Sequence, residues 1–142
     1  MRRNGTPRPH GHFLAAEVGE LAGVSGNTIG QWARRGYIRS SGSEGDPRVY
    51  SVEDVAEAAI VGELLGRGVR HKEVRRAIDR LAEEYGIWPL SEAALGTTAD
   101  RGRARIVLRD RGGIYALSPR GWQRMTATPE VEEVRLRLRR AG

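Results

Sequence analysis

The chain contains no cysteine, which excludes disulfides, thiolate metal sites and cysteine nucleophiles. No apolar run approaches the roughly 20 residues that span a bilayer. The N-terminal Met-Arg-Arg-Asn-Gly-Thr-Pro-Arg-Pro-His is charged but has no apolar core, so it does not read as a signal peptide. A cytoplasmic protein is expected. Chemistry-bearing constellations are also scarce. Glycines 102, 112 and 113 form neither a GxGxxG nor a phosphate loop. Glu83-Glu84 and Glu132-Glu133 are adjacent, so on a helix they point to different faces. His10 and His12 have no third ligand beside them, and no nucleophile–base pair stands out. Catalysis, a cofactor and a bound metal are therefore not expected.

Arginine is abundant instead. Of 24 basic residues only Lys72 is a lysine, and against 18 acidic residues they leave a net charge of +6. Such a surplus favours a polyanionic partner, and the guanidinium fork suits phosphates and guanine edges. Arginine richness by itself also follows from the codons of a GC-rich genome. At 142 residues the chain suits one ordinary domain, or a small domain with an appendage.

Three regions divide the chain. Residues 1–12, rich in Pro, Gly, His and Arg, read as a disordered basic arm. Residues 13–85 read as four helices and a wing. Leu14 to Ala22 forms the first helix, with Val18 and Leu21 on one face and a small Gly19 that lets a second helix approach. Gly23 supplies a turn, and Ser25 an N-cap for a helix running to Arg35 with Ile29 and Trp32 inward. Gly19, Gly23, Val24 and Ile29 have helix-turn-helix spacing. Tyr37 to Tyr50 then encloses Ser-Ser-Gly-Ser-Glu-Gly-Asp-Pro, turn chemistry between two short strands, and so reads as a wing. Ser51-Val-Glu-Asp54 opens a third helix as a capping box, with Val52, Val55, Ala56, Ala59 and Ile60 on one face. A fourth helix is expected from about His71 to Tyr85.

Residues 86–142 change character. Thr97 to Gly102 is loop-like, and Arg105–Leu108 and Ile114–Leu117 flank Asp110-Arg-Gly-Gly113 as a hairpin. In the tail from Pro129 to Arg140, acidic residues precede arginines, as suits a helix dipole. Val134, Leu136 and Leu138 also alternate with arginines, which is a strand period, and a helix is the expectation adopted.

Val24-Ser25, Thr28-Ile29, Trp32, Gly36, Arg48-Val49-Tyr50 and Glu53-Asp54, in that order, resemble the DNA-binding domain of the MerR family, including its short excisionase-like relatives. The resemblance covers about the first 85 residues and implies a mainly α winged helix-turn-helix followed by a small hairpin or helical appendage. It also implies a regulator of transcription that binds double-stranded DNA, as a homodimer or as cooperative copies. Three positions depart from the family pattern. Gly30 stands where the recognition helix often carries an arginine, Gln31 at the neighbouring aromatic position, and Arg70 where a serine opens the next helix. Arg34 and Arg35, one turn on, are placed to compensate.

Residue chemistry agrees with that placement. Asn27, Thr28, Gln31, Arg34 and Arg35, behind the Ser25 cap, can face the major groove, where amide and guanidinium groups read adenine and guanine. Trp32 either packs into the core or offers its indole N–H to a phosphate. Arg39 and Arg48 on the wing would meet the backbone or minor groove, and Tyr50 could give its hydroxyl to a phosphate. In the second half, Trp88-Pro-Leu-Ser, the strand pair and Arg120-Gly-Trp-Gln123 look like the segment that follows such a domain in some antitoxins. That likeness implies a toxin as a protein partner for residues 86–142. An architectural, DNA-bending factor is the third reading.

Overall fold

The computed structural model describes residues 13–40, 48–98, 103–110, 112–126 and 130–134. The basic arm with His10 and His12, the wing tip at 41–47 and residues 135–140 of the tail lie outside the described residues.

Helix α1 (Ala15–Ala22) begins at Leu14, whose N–H donates to Glu17 Oε1 at 2.9 Å. It ends at Gly23, which is left-handed with φ 82°, as glycine alone adopts without cost. The next helix, α2 (Gly26–Arg35), starts three residues later, so the chain doubles back against α1. Gly19 makes this fold possible: a Cβ there would lie 2.5 Å from the Val24 carbonyl oxygen and 2.9 Å from the Ser25 carbonyl carbon. Both Gly23 and Val24 donate their N–H groups to the Gly19 carbonyl, at 2.7 and 2.9 Å, closing the turn onto the residue that admits it.

Helix α3 (Val52–Gly66) is the centre of the molecule, packed against α1, α4 (His71–Tyr85) and the single turn α5 (Pro89–Glu92). Val55, Ala58, Ile60, Val61 and Leu64 are all buried, so burial extends round most of the helix rather than along one stripe. Val52, expected inward from its spacing, is instead 49% exposed, because it lies at the helix start beyond the neighbours that cover the rest. Along α4, Val74, Ala77 and Leu81 are buried at the three- and four-residue spacing of one helical face.

Two carboxylates are buried on α3. Asp54 closes a capping box: its Oδ2 accepts from the Ser51 N–H at 2.8 Å, and its own N–H donates to Ser51 Oγ at 3.1 Å. Its other oxygen accepts from the Trp88 indole at 2.9 Å. One turn on, Glu57 accepts the N–H groups of Leu90 and Ser91 and so caps α5 from a different helix. Burial pushes the Glu57 carboxyl up to about 6, against the lowering effect of the hydrogen bonds from Ser91 and Leu90; neighbouring Asp54 adds to the rise. The folded state therefore holds this proton more tightly than the unfolded chain. The contribution to stability is greatest below pH 4.5 and declines as pH rises through about 6. We predict that wild type minus Glu57→Gln, compared by urea unfolding, shifts by about 2 kcal/mol in favour of wild type between pH 7 and pH 4.5. A pH-independent difference would show that Glu57 ionises normally in the fold.

The second half is more β-rich than its sequence suggests. Strands β1 (Leu95–Thr98), β2 (Ile106–Asp110), β3 (Gly113–Ser118), β4 (Gly121–Arg124) and β5 (Val131–Glu133) form one antiparallel sheet in the order β4-β3-β2-β1-β5. The protein is thus mixed α/β rather than mainly α with a small hairpin. Asp110 pairs with Gly113, and Gly112 takes φ 77° at the tip between β2 and β3. Leu95, Ile106, Leu108 and Leu117 join the same core as α3 and α4. At Val131–Glu133 the tail is a strand and not the expected helix. β1 offers an open edge there, with Thr98 opposite Val131 and Gly96 opposite Glu133. A Cβ on Gly96 would sit 2.6 Å from Val131 Cγ1, so the missing side chain is what lets β5 lie close.

Arg67, just after α3, ties helices to sheet. Its guanidinium donates to Glu63, to Thr97 Oγ1 and to the carbonyls of Glu132 and Glu133, each at 2.9 Å. Both ends of α3 are therefore anchored to the second half, by carboxylates at one end and by a guanidinium at the other.

Candidate nucleic-acid interface

Ser25 starts α2 by accepting the Thr28 N–H on its Oγ at 3.0 Å, and the two hydroxyls lie 2.9 Å apart. The helix is strongly two-sided. Ile29 and Trp32 are buried against the core, while Asn27, Gln31, Arg34 and Arg35 are exposed and Thr28 is half-buried. Positions 27, 31, 34 and 35 lie three and four residues apart, so their amides and guanidinium groups line one face of the helix. Gly30 leaves a gap on this helix. Arg34 Nη1 lies 3.4 Å from where a Gly30 Cβ would be, so the later arginine folds back over the position that lacks a side chain.

Of the two residues with a possible phosphate contact besides a core role, both are buried. Trp32 is 4% exposed and belongs to the core, its apolar bulk packed within the helix bundle. Tyr50 is 1% exposed; its backbone pairs with Phe13, with N–H to carbonyl distances of 2.9 and 2.8 Å. Burial pushes its hydroxyl above the ordinary phenol range. Arg48 and, less strongly, Arg34 pull it down, and Asp54 pushes it up. Tyr50 is a core residue whose backbone holds the segment before α1. Arg39 is exposed and Arg48 half-buried, on either side of residues 41–47. Among the described residues Tyr50 bridges to Phe13, and residues 38–40 and 48–49 form no strand ladder of their own.

Helix α4 supports α2 from below. Arg75 Nη1 donates to the Arg35 carbonyl at the C-terminus of α2, and its Nε lies 3.3 Å from Asp79 Oδ2. Its guanidinium lies over Gly36, whose left-handed φ of 79° ends α2. Beside it the Tyr37 hydroxyl and His71 Nδ1 are 3.3 Å apart. The Arg75 contact does not stand out in sequence, because it spans forty residues and leaves no local pattern.

Comparison with known proteins places the same segment. Residues 14–81 match the family described as MerR HTH family regulatory protein. Proteins named uncharacterized HTH-type transcriptional regulators, from Mycobacterium bovis and from two strains of Mycobacterium tuberculosis, are 33% identical over 86 residues. The match takes in 56% of this chain but 38% of each relative's length. No solved structure matches the chain.

Proposed function

Residues 14–81 belong to the MerR helix-turn-helix family, and from that premise we propose that the protein regulates transcription by binding a specific double-stranded DNA site. The observation that carries this reading is the exposed stripe of Asn27, Gln31, Arg34 and Arg35 on a capped helix whose other face is locked into the core. Such a helix can enter a major groove with its orientation fixed by packing. Arg39 and Arg48 would meet the flanking backbone. Nothing in this arrangement asks for a reaction, and the role is one of binding.

Two copies sharpen site selection, since one small module recognises few base pairs. We therefore propose a homodimer on DNA, for which sedimentation of the protein–DNA complex gives the stoichiometry; one chain per site would refute it. Neither the toxin-binding nor the DNA-bending reading gains an observation of its own.

The test is binding of the purified protein to its own upstream DNA and to a scrambled duplex, titrated through salt. Preference for the native sequence supports the reading, and equal weak binding to both sinks it. On the native site, Gln31→Ala is expected to relax preference at one base pair, at a cost of roughly 1–3 kcal/mol there. Arg48→Ala should instead weaken binding to all sequences and lower the salt slope by about one unit. The opposite assignment, selectivity lost with Arg48 and salt slope lost with Gln31, would exchange their roles.

A further inference from the structure

We propose that Arg75, on α4, is a positioning residue for the recognition helix: it fixes the C-terminal end of α2 and so sets how selectively Gln31, Arg34 and Arg35 read bases. The proposal rests on the DNA-binding reading above and adds to it a residue that acts without touching DNA. The end of α2 is held by three separate donors. The carbonyls of Trp32 and Ala33 take the N–H groups of Tyr37 and Gly36, at 2.9 and 3.2 Å. The Arg35 carbonyl takes Arg75 Nη1 instead, and a cation there also meets the negative end of the helix dipole. Gly36 builds the seat. A Cβ at that position would lie 2.6 Å from Arg75 Nη1 and 3.6 Å from its Cζ, so the absent side chain is what leaves the guanidinium room. Asp79, one turn along α4, holds Arg75 Nε at 3.3 Å.

The clamp stands on a rigid base. His71, Arg75 and Asp79 are spaced by four along α4 and so form one row on that helix. At the head of the row, His71 Nδ1 lies 3.3 Å from the hydroxyl of buried Tyr37, the second residue past α2. Val74, Ala77 and Leu81 anchor α4 in the core, with no exposed surface. This helix cannot shift without disturbing that core, so Arg75 passes a fixed position to the end of α2.

Base selection is what depends on this. Arg34 and Arg35 occupy the last turn of α2, and the carbonyl that Arg75 holds belongs to Arg35 itself. A guanidinium fork reading a guanine edge must be placed to within about 0.5 Å. Attraction to phosphates tolerates much larger shifts, because it acts over a Debye length of about 8 Å. Loosening the clamp therefore costs sequence preference and leaves general attraction to DNA in place. The Arg75–Asp79 pair is half exposed, and such pairs add little stability, so its loss leaves the fold intact.

The experiment titrates the full chain and Arg75→Gln against the native and the scrambled duplex through salt, with urea unfolding alongside. Arg75→Gln is expected to bind the native site about ten-fold more weakly, with its affinity for the scrambled duplex and its salt slope unchanged. Equal losses on both duplexes, with a slope lower by about one unit, would make Arg75 a phosphate contact and overturn the proposal. An affinity for the native site equal to that of wild type overturns it as well. Should Arg75→Gln be partly unfolded, Asp79→Ala carries the test, since it keeps Arg75, frees its Nε and adds net positive charge. Positioning predicts a narrower preference for the native site, whereas tighter binding to both duplexes with the preference intact overturns the proposal. A wild type that does not distinguish native from scrambled DNA is a failure of the underlying reading instead.

Discussion

Gly19→Ala is expected to destabilise the protein by about 2–4 kcal/mol, whereas Gly30→Ala in the next helix should stabilise it by about 0.5–1 kcal/mol. Both replace a helical glycine by the best helix former, and by propensity alone both should help. The difference is what a Cβ meets. At Gly30 it would find only Arg34 Nη1 at 3.4 Å, the end of a flexible exposed side chain. At Gly19 it would be 2.5 Å from the Val24 carbonyl oxygen, with the Ser25 carbonyl carbon and Gly26 nitrogen at 2.9 and 3.0 Å. These are backbone atoms of the turn itself, and they cannot move without shifting the start of α2. The hydrogen bonds from Gly23 and Val24 to the Gly19 carbonyl would be stretched by the same shift. Urea unfolding of the two variants side by side gives the signs. DNA affinity should fall with Gly19→Ala even where the protein is still folded, because the Ser25 cap and the stripe behind it lie directly beyond the turn. A stabilising Gly19→Ala would mean that α1 and α2 are not held this close.

The helix-turn-helix was legible because its determinants are local. Gly19, Gly23, Ser25 and the Ile29–Trp32 spacing each act within a few residues of where they stand, and the turn is built from them. The start of α3 was legible for the same reason, since Ser51 and Asp54 cap each other. What sequence could not show was the destination of side chains with two chemical uses. Tyr50 and Trp32 suit a phosphate as well as a core, and only the packing of α1 and α3 around them decides for the core. The sheet was underestimated for a related reason. Leu-Gly-Thr-Thr in β1 and Val-Glu-Glu in β5 are short and carry weak strand patterns, and they become strands because β2 and β1 offer partner edges. Arg67, Arg75 and Glu57 were invisible: each is an ordinary charged residue on a helix until a segment some thirty or more residues away supplies its partner.

Asp54→Ala is expected to cost about 3–4 kcal/mol. Two donors depend on this buried carboxylate: the Ser51 N–H at the helix start and the Trp88 indole from beyond α4. Losing the cap accounts for about 1–2 kcal/mol, and leaving the indole without its acceptor for about another 1–3. Trp88→Phe removes only the donor and much less area, so about 1–1.5 kcal/mol is expected. Combining the two substitutions should cost clearly less than their sum, because the second removes a donor that the first has already left unpaired. The double-mutant cycle by urea unfolding therefore measures the Asp54–Trp88 bond itself, and strict additivity would show that it contributes nothing. The effect should also reach the DNA-binding face. Ser51 follows Tyr50 directly, and Tyr50 pairs with Phe13 just before α1. Loosening the start of α3 releases the residue that holds the entry to α1, against which α2 packs. Asp54→Ala should then weaken DNA binding beyond what its folded fraction explains, whereas Trp88→Phe, which leaves the Ser51 cap in place, should not.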